Sequence, residues 1–334
     1  MELIFLGTSS GTPSRTRNVS GLALRGEGSR HWALVDCGEA TQHRILRTRL
    51  SLIDLRAVFI THMHGDHCYG LPGLLASAGM LNRSELLYVA GPAPLRAFLQ
   101  GVMDTTQLGL PFPIEFVEVH GDAAGRPLPN VLPDLAVSST PLSHRLPSWA
   151  YTFRERDVER RLDVVRLRAA GIRADARWGE LQRGHDVLLD DGRLLRANDF
   201  RLAPRKPRCV VVGGDNDRPE LLIDEARGAD VLVHEATYTE PVLGRVGPGP
   251  QHSSAAMTAR AAQAAAVPNL VLTHFSPRYQ DTGQGKSAAP EAKSGLTMHD
   301  IEQEARAAYD GRLFLARDFD RYVLDRQGVL ARAE

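Results

Sequence analysis

Phe59-Ile60-Thr61-His62-Met63-His64-Gly65-Asp66-His67 is the stretch on which the fold of this chain turns. Residues 55–60 are apolar except for Arg56, a run that predicts a buried strand. The run ends in three imidazoles and a carboxylate: His62, His64, Asp66 and His67. So many donors meet at one point only where the backbone leaves regular structure, and Gly65 is expected to supply that freedom. Residues 70–81 then read as a helix. His62 and His64 alternate, so both side chains reach one cation from the same side of an extended end. Asp66 and His67, beyond the turn, reach a second cation. Nitrogen and oxygen donors at this density suit zinc or a similar borderline cation. Two metals roughly 3.5–4 Å apart clamp the attacking and leaving oxygens of a displacement, which points to hydrolysis of a phosphate or acyl bond. A solvated histidine-rich loop is the plain alternative.

Upstream of that stretch, residues 2–6 read as a strand and Gly7 to Pro13 as a turn-rich loop. A short basic loop follows, with Arg15, Arg17 and Asn18. It is either an ordinary surface loop or a phosphate contact, since arginine forks match phosphate oxygens. Residues 31–35 form a strand that ends at Asp36-Cys37-Gly38-Glu39. Asp36 there suits two roles: orienting a metal-bound imidazole, or capping a helix over 42–50.

Downstream, strands and helices alternate. A strand over 135–139 runs on to Ser143-His144, and one over 209–212 to Gly214-Asp215-Asn216. Asp215 is the candidate for a carboxylate shared by two cations. A strand over 230–233 delivers His234-Glu235, and one over 270–272 delivers Thr273-His274. Gln251-His252-Ser253-Ser254 opens a helix over 255–266, with Ser253 or Ser254 as its cap. Four strand ends therefore carry His62, His144, Asp215 and His274, and sites in α/β sheets lie outside the carboxyl ends of strands.

Residues 154–183 hold nine arginines against six acidic residues, a local charge of +3. Helical spacing over 157–170 fits a solvated face, but also an arm outside the core that carries phosphate-binding arginines. Formal net charge over all 334 residues is zero, so any contact with nucleic acid needs such a local patch, which favours the arm. Asp190-Asp191-Gly192 predicts a hairpin turn between 187–189 and 194–195.

Hydrophobic residues make up 43% of the chain, which supports a sizeable core and argues against disorder. Cys37, Cys68 and Cys209 lie far apart, which argues against a disulfide scaffold and for a reducing compartment. The chain opens directly into a strand pattern, and no apolar run is long enough for a membrane span. A cytoplasmic protein without membrane attachment is the expectation.

With these residues in hand, the chain resembles the ribonuclease Z family of the metallo-β-lactamase superfamily over nearly its whole length. The His62-Met63-His64-Gly65-Asp66-His67 motif marks the superfamily. The combination of Asp36-Cys37-Gly38-Glu39, His234-Glu235-Ala236-Thr237 and His252-Ser253-Ser254 is far more specific. The resemblance implies an α/β fold, the metallo-β-lactamase αββα four-layer sandwich in one domain over 1–334, with an inserted protruding arm over 154–200. It implies a homodimer that cuts precursor tRNA and leaves a 3′ hydroxyl. By position, one Zn2+ falls to His62, His64 and His144 and a second to Asp66, His67 and His274, with Asp215 bridging. Asp66 doubles as general base, and Glu235 with His252 supplies a proton to the leaving 3′ oxygen. The arm implies tRNA contacts by arginines such as Arg160, Arg161, Arg173 and Arg177. Three features depart from the family pattern. Ile172 to Gly179 replaces a Pro- and Gly-rich turn in the arm, Asn216 stands where threonine is usual, and residues 280–296 look like a mobile insertion. The rival reading is a hydrolase of small phosphodiesters or (thio)esters from the same superfamily, which needs neither arm nor basic loop. A non-catalytic RNA-binding homologue would have lost ligands that this chain keeps.

Overall fold

The computed structural model describes residues 1–121, 123–156, 158–281 and 295–333. Asp157 and most of the 280–296 stretch lie outside these. The chain divides into two compact units, one of residues 1–154 with 208–334 and one of residues 155–207.

The first unit is built on two sheets. One has eight strands in the order Leu330–Ala333, Arg321–Leu324, Glu2–Gly7, Gly21–Arg25, Trp32–Val35, Leu55–Phe59, Leu87–Gly91 and Ile114–Glu118. The last four run parallel. The other has seven, in the order Arg312–Leu315, Asn269–Thr273, Val231–Glu235, Cys209–Val212, Ser148–Glu155, Leu135–Leu142 and Arg126–Pro127. Its first four are parallel, and Ser148–Glu155 pairs antiparallel with Cys209–Val212.

Alternation along each strand decides the layers. Ala57 and Phe59 enter the core between the sheets, where they meet Tyr151, Phe153, Val210 and Val212. Val58 and Ile60 point the other way, onto Leu71, Leu74 and Leu75 of the helix Leu71–Met80. On the second sheet Cys209, Val211 and Leu232 face Ala255, Ala259 and Ala262 of the helix Ala255–Ala264. Burial on both faces is why these strands read as unbroken apolar runs. The layers are therefore helix, sheet, sheet, helix, the αββα architecture expected. Phe59 and Phe153 meet edge to face across the inner core, centroids 5.3 Å apart. Truncating a buried aromatic of this kind to Ala costs about 3–5 kcal/mol.

Several boundaries differ from the sequence reading. The helix expected over 42–50 is a single turn, Thr41–Ile45. The one expected over 157–170 forms only at Val164–Ala169, where the Asp163 carboxylate accepts the Arg166 N–H at 2.9 Å and caps it. Residues 313–324, whose pattern predicts a single strand, hold parts of two, Arg312–Leu315 and Arg321–Leu324, and a third follows at Leu330–Ala333. The second unit has a small core of its own, with Leu167, Ile172, Leu181, Leu195 and Phe200 buried. The predicted hairpin pairs Val187–Leu188 with Leu194–Leu195.

Candidate metal centre

Strand ends converge as the pattern implies. His62 and His64 follow Leu55–Phe59, His144 follows Leu135–Leu142, Asp215 follows Cys209–Val212 and His274 follows Asn269–Thr273. Asp66 and His67 lie on a single helical turn, Gly65–Cys68, instead of an irregular loop. Gly65 leaves room there for the exposed Tyr69 ring. A Cβ on it would lie 2.3–2.7 Å from ring carbons of Tyr69, and its φ is not positive. The expectation of conformational freedom at Gly65 is thereby corrected.

Two groups of donor atoms form. In the first, His62 Nε2 and His144 Nε2 lie 3.0 and 3.1 Å from His64 Nδ1. Asp215 Oδ2 is 3.5 Å from His62 Nε2 and 3.8 Å from His144 Nε2. In the second, His274 Nε2 is 3.2 Å from His67 Nε2 and 3.3 Å from Asp66 Oδ2. Asp215 Oδ1 is 3.4 Å from both His67 Nε2 and His274 Nε2. One carboxylate thus turns one oxygen to each group. Ligand atoms of a tetrahedral zinc lie about 3.3 Å apart, given bonds of about 2.0–2.1 Å. Nitrogen lone pairs and carboxylate oxygens crowded this closely repel one another unless cations lie among them. The donor set therefore fits two metal ions.

The nitrogens that face away from the cluster are held as well. His144 Nδ1 donates to the Gln251 carbonyl at 2.7 Å, which leaves its Nε2 lone pair for the cluster. His67 Nδ1 lies 2.7 Å from Asp36 Oδ2. The Thr61 hydroxyl donates to the same carboxylate at 3.0 Å and lies 3.0 Å from His62 Nδ1. Asp36 therefore orients two imidazoles, one directly and one through Thr61, the arrangement that fixes tautomer and ring angle in metal sites. It caps no helix. Asp36, Gln251 and His274 all have positive φ, 60°, 55° and 57°, a strained backbone that the surrounding hydrogen bonds hold in place.

Burial keeps His62, His64 and His144 below the usual imidazole range, so they stand ready as neutral donors. Burial has the opposite tendency at Asp66, but His67 and His274 outweigh it and hold the carboxyl well below the usual range.

Beside the cluster, both oxygens of Glu235 lie 3.1 Å from His252 Nδ1. Burial disfavours the charged imidazole, yet the Glu235 and Asp215 carboxylates prevail and raise the His252 pKa to about 9. Asp215 Oδ2 is 3.7 Å from the same nitrogen. His252 could thus be grouped with Asp215 and His274 as a ligand. Its near nitrogen, however, is already engaged by a bidentate carboxylate.

Asn216 is a residue that sequence reasoning left without a role. Its N–H donates to Glu235 Oε1 at 2.7 Å, and its side-chain oxygen accepts the N–H groups of Ser143 and Arg218 at 3.3 and 3.1 Å. Its amide nitrogen donates to the buried His234 Nε2 at 3.2 Å. Asn216 spreads its donor and its acceptor over two side-chain atoms, where a threonine hydroxyl would have to serve all three side-chain partners from a single oxygen.

The basic loop divides. Arg15 is exposed and Asn18 half-buried, with its side-chain amide on the Glu39 carbonyl at 2.8 Å. Arg17 is only 5% exposed, and its guanidinium holds Thr8 Oγ1, the Ala316 carbonyl and Asp281 at 2.7, 2.7 and 2.9 Å. A fork turned inward anchors the loop and has no face left for a phosphate, which corrects the expectation for Arg17. In the second unit Arg161 and Arg173 are exposed. Arg160 binds the Leu202 carbonyl at 3.0 Å, and Arg177 pairs with Asp175.

A family model described as "Anti-Pycsar protein Apyc1" matches residues 1–95, the part that holds the His62 to His67 motif. Ribonuclease Z of Marinobacter nauticus is 50% identical over 341 residues, covering 100% of this chain and 99% of its own. Ribonuclease Z of Pseudomonas putida strain KT2440 is 49% identical, with 99% of each chain covered. Among solved structures, the short form of human tRNase Z superposes with a TM-score of 0.66 at 24% identity, over 97% of this chain and 100% of that one, a likeness of fold. Identity of about one half, sustained from end to end, means that this chain belongs to the ribonuclease Z family.

Proposed function

We propose that the protein is a zinc-dependent endoribonuclease that removes the 3′ trailer from precursor tRNA and leaves a 3′ hydroxyl on the tRNA. The observation that carries this reading is the His252–Glu235 pair set against a two-centre cluster. His62, His64 and His144 would hold one zinc, and Asp66, His67 and His274 the other, with Asp215 shared. When bound, such a pair polarises the phosphate and acidifies water. Asp66 takes the proton of the attacking water on its carboxylate. Asp36 and Thr61 keep the His67 and His62 rings in register while that happens. His252, charged through its contact with Glu235, gives its outer proton to the departing 3′ oxygen, a poor leaving group otherwise. Arg15 and Asn18 would meet substrate near the centre. Arg160, Arg161, Arg173 and Arg177 of the second unit would bind tRNA. The family resemblance supports a homodimer acting in the cytoplasm. No helix among the described residues is long and apolar enough to cross a membrane.

The decisive assay is purified protein with a precursor tRNA carrying a 3′ trailer, with the cut mapped. Turnover of a small chromogenic phosphodiester with no action on precursor tRNA would favour the small-substrate alternative. Two further outcomes follow. Elemental analysis should find about two metal ions per chain, the number a paired site implies. A fully active metal-free preparation would refute this. Deleting residues 157–196 should raise KM for tRNA and flatten its salt dependence, because arginine–phosphate contacts release counterions. Hydrolysis of a small phosphodiester should persist, since the donor cluster lies entirely in the other unit. An unchanged tRNA KM would remove the binding role from the arm.

A further inference from the structure

Arg145 follows the donor His144 directly, in the loop after the strand Leu135–Leu142. It is exposed and forms no ion pair among the described residues. Its Nη2 lies 3.2 Å from His64 Nε2, the ring nitrogen that faces away from the cluster. The guanidinium therefore sits one imidazole's width outside the metal centre, on its solvent side. The donor atoms lie on the far side of the His64 ring from it.

We infer that Arg145 binds the backbone phosphate that neighbours the scissile one. This rests on the endoribonuclease reading above. The chemistry is that of a planar fork of donors with permanent charge, which matches two phosphate oxygens at once. The position also fits. Of the arginines in the basic loop, Arg15 is exposed, whereas Arg17 is buried and turned to Thr8, Ala316 and Asp281. The arm arginines belong to the other unit. A cation without a carboxylate partner at the rim leaves a positive spot there, and a phosphodiester backbone is the polyanion of the proposed reaction. The contact selects a polymer over a single diester, because only a polymer brings a neighbouring phosphate.

The test uses the full-length, metal-loaded protein with Arg145→Gln and Arg145→Lys. Substrates are a short single-stranded RNA, a precursor tRNA, and bis(p-nitrophenyl) phosphate, which has one phosphate only. Arg145→Gln should raise KM for both RNAs roughly 3–30-fold, as loss of one charged hydrogen-bonded contact implies. It should lower the slope of log KM against log salt by about 0.7–1. Arg145→Lys should recover part of the loss, since a point charge replaces the fork. The effect on bis(p-nitrophenyl) phosphate should be much smaller, and metal content should match the wild type. An equal loss on the small diester, or loss of metal, would mean that Arg145 props His64 and binds no phosphate. An unchanged salt slope would also overturn the proposal. A wild-type protein that cuts no RNA would sink the endoribonuclease reading and this contact together, and that failure is visible before any variant is made.

Discussion

Asp66→Ala should slow cleavage of precursor tRNA by at least about 10³-fold, since general base catalysis alone is worth about 10²–10⁴ and a metal ligand is removed with it. Asp66 Oδ2 sits 3.3 Å from His274 Nε2 and 3.5 Å from His67 Nε2, inside the second donor group. The same oxygen accepts the Gly11 N–H at 2.7 Å, so the substitution also frees a loop that borders the centre. Binding of tRNA should survive, because the arm lies in another unit. Single-turnover rates and an equilibrium binding assay separate the two effects. A small, equal fall in binding and cleavage would make Asp66 a structural residue.

His252→Ala should slow the same reaction by about 10²–10⁴-fold, the usual range for general acid catalysis, and leave metal content intact. His252 Nδ1 is engaged by Glu235 at 3.1 Å, which directs the other nitrogen outward. Burial disfavours the charged ring, but the Glu235 carboxylate raises the His252 pKa and so favours the protonated form that a donor needs. A nitrophenolate leaving group needs no proton, so the defect should shrink on an activated ester. Glu235→Ala should act as a weaker copy of the same change. The double variant should fall short of the product of the two, because the residues work as one unit. Loss of a metal in His252→Ala would instead place His252 with Asp215 and His274 as a ligand.

Legibility of the site varied by residue for a physical reason. His62, His64, Asp66, His67, His144, Asp215 and His274 were readable because each is a metal-type donor just past an apolar run. Local periodicity says where a strand ends. Arg15, Arg17 and Asn18 were readable only as a basic loop. Whether a guanidinium faces solvent or turns back onto Thr8, Ala316 and Asp281 depends on groups up to 299 positions away in the chain. Arg145 carried no signal at all, since an arginine after a histidine is unremarkable until His64 lies beside it.

The sequence by itself determined the donor chemistry, the apolar strands buried on both faces, and the order in which the site residues occur. These depend on residue type and on spacing within a few positions. Tertiary structure alone decided between the two roles open to Asp36. The residue lies 31 positions from His67, and only the packing of neighbouring strands sets its carboxylate 2.7 Å from that imidazole. Packing likewise put the Gln251 carbonyl, 107 positions from His144, where it fixes that ring's tautomer. It also made Gly65 a matter of room for the Tyr69 ring, and not of backbone freedom. Hydrogen bonds of this kind pair groups that the chain brings together only when both sheets have closed on one core, and no local pattern encodes which partner will be there.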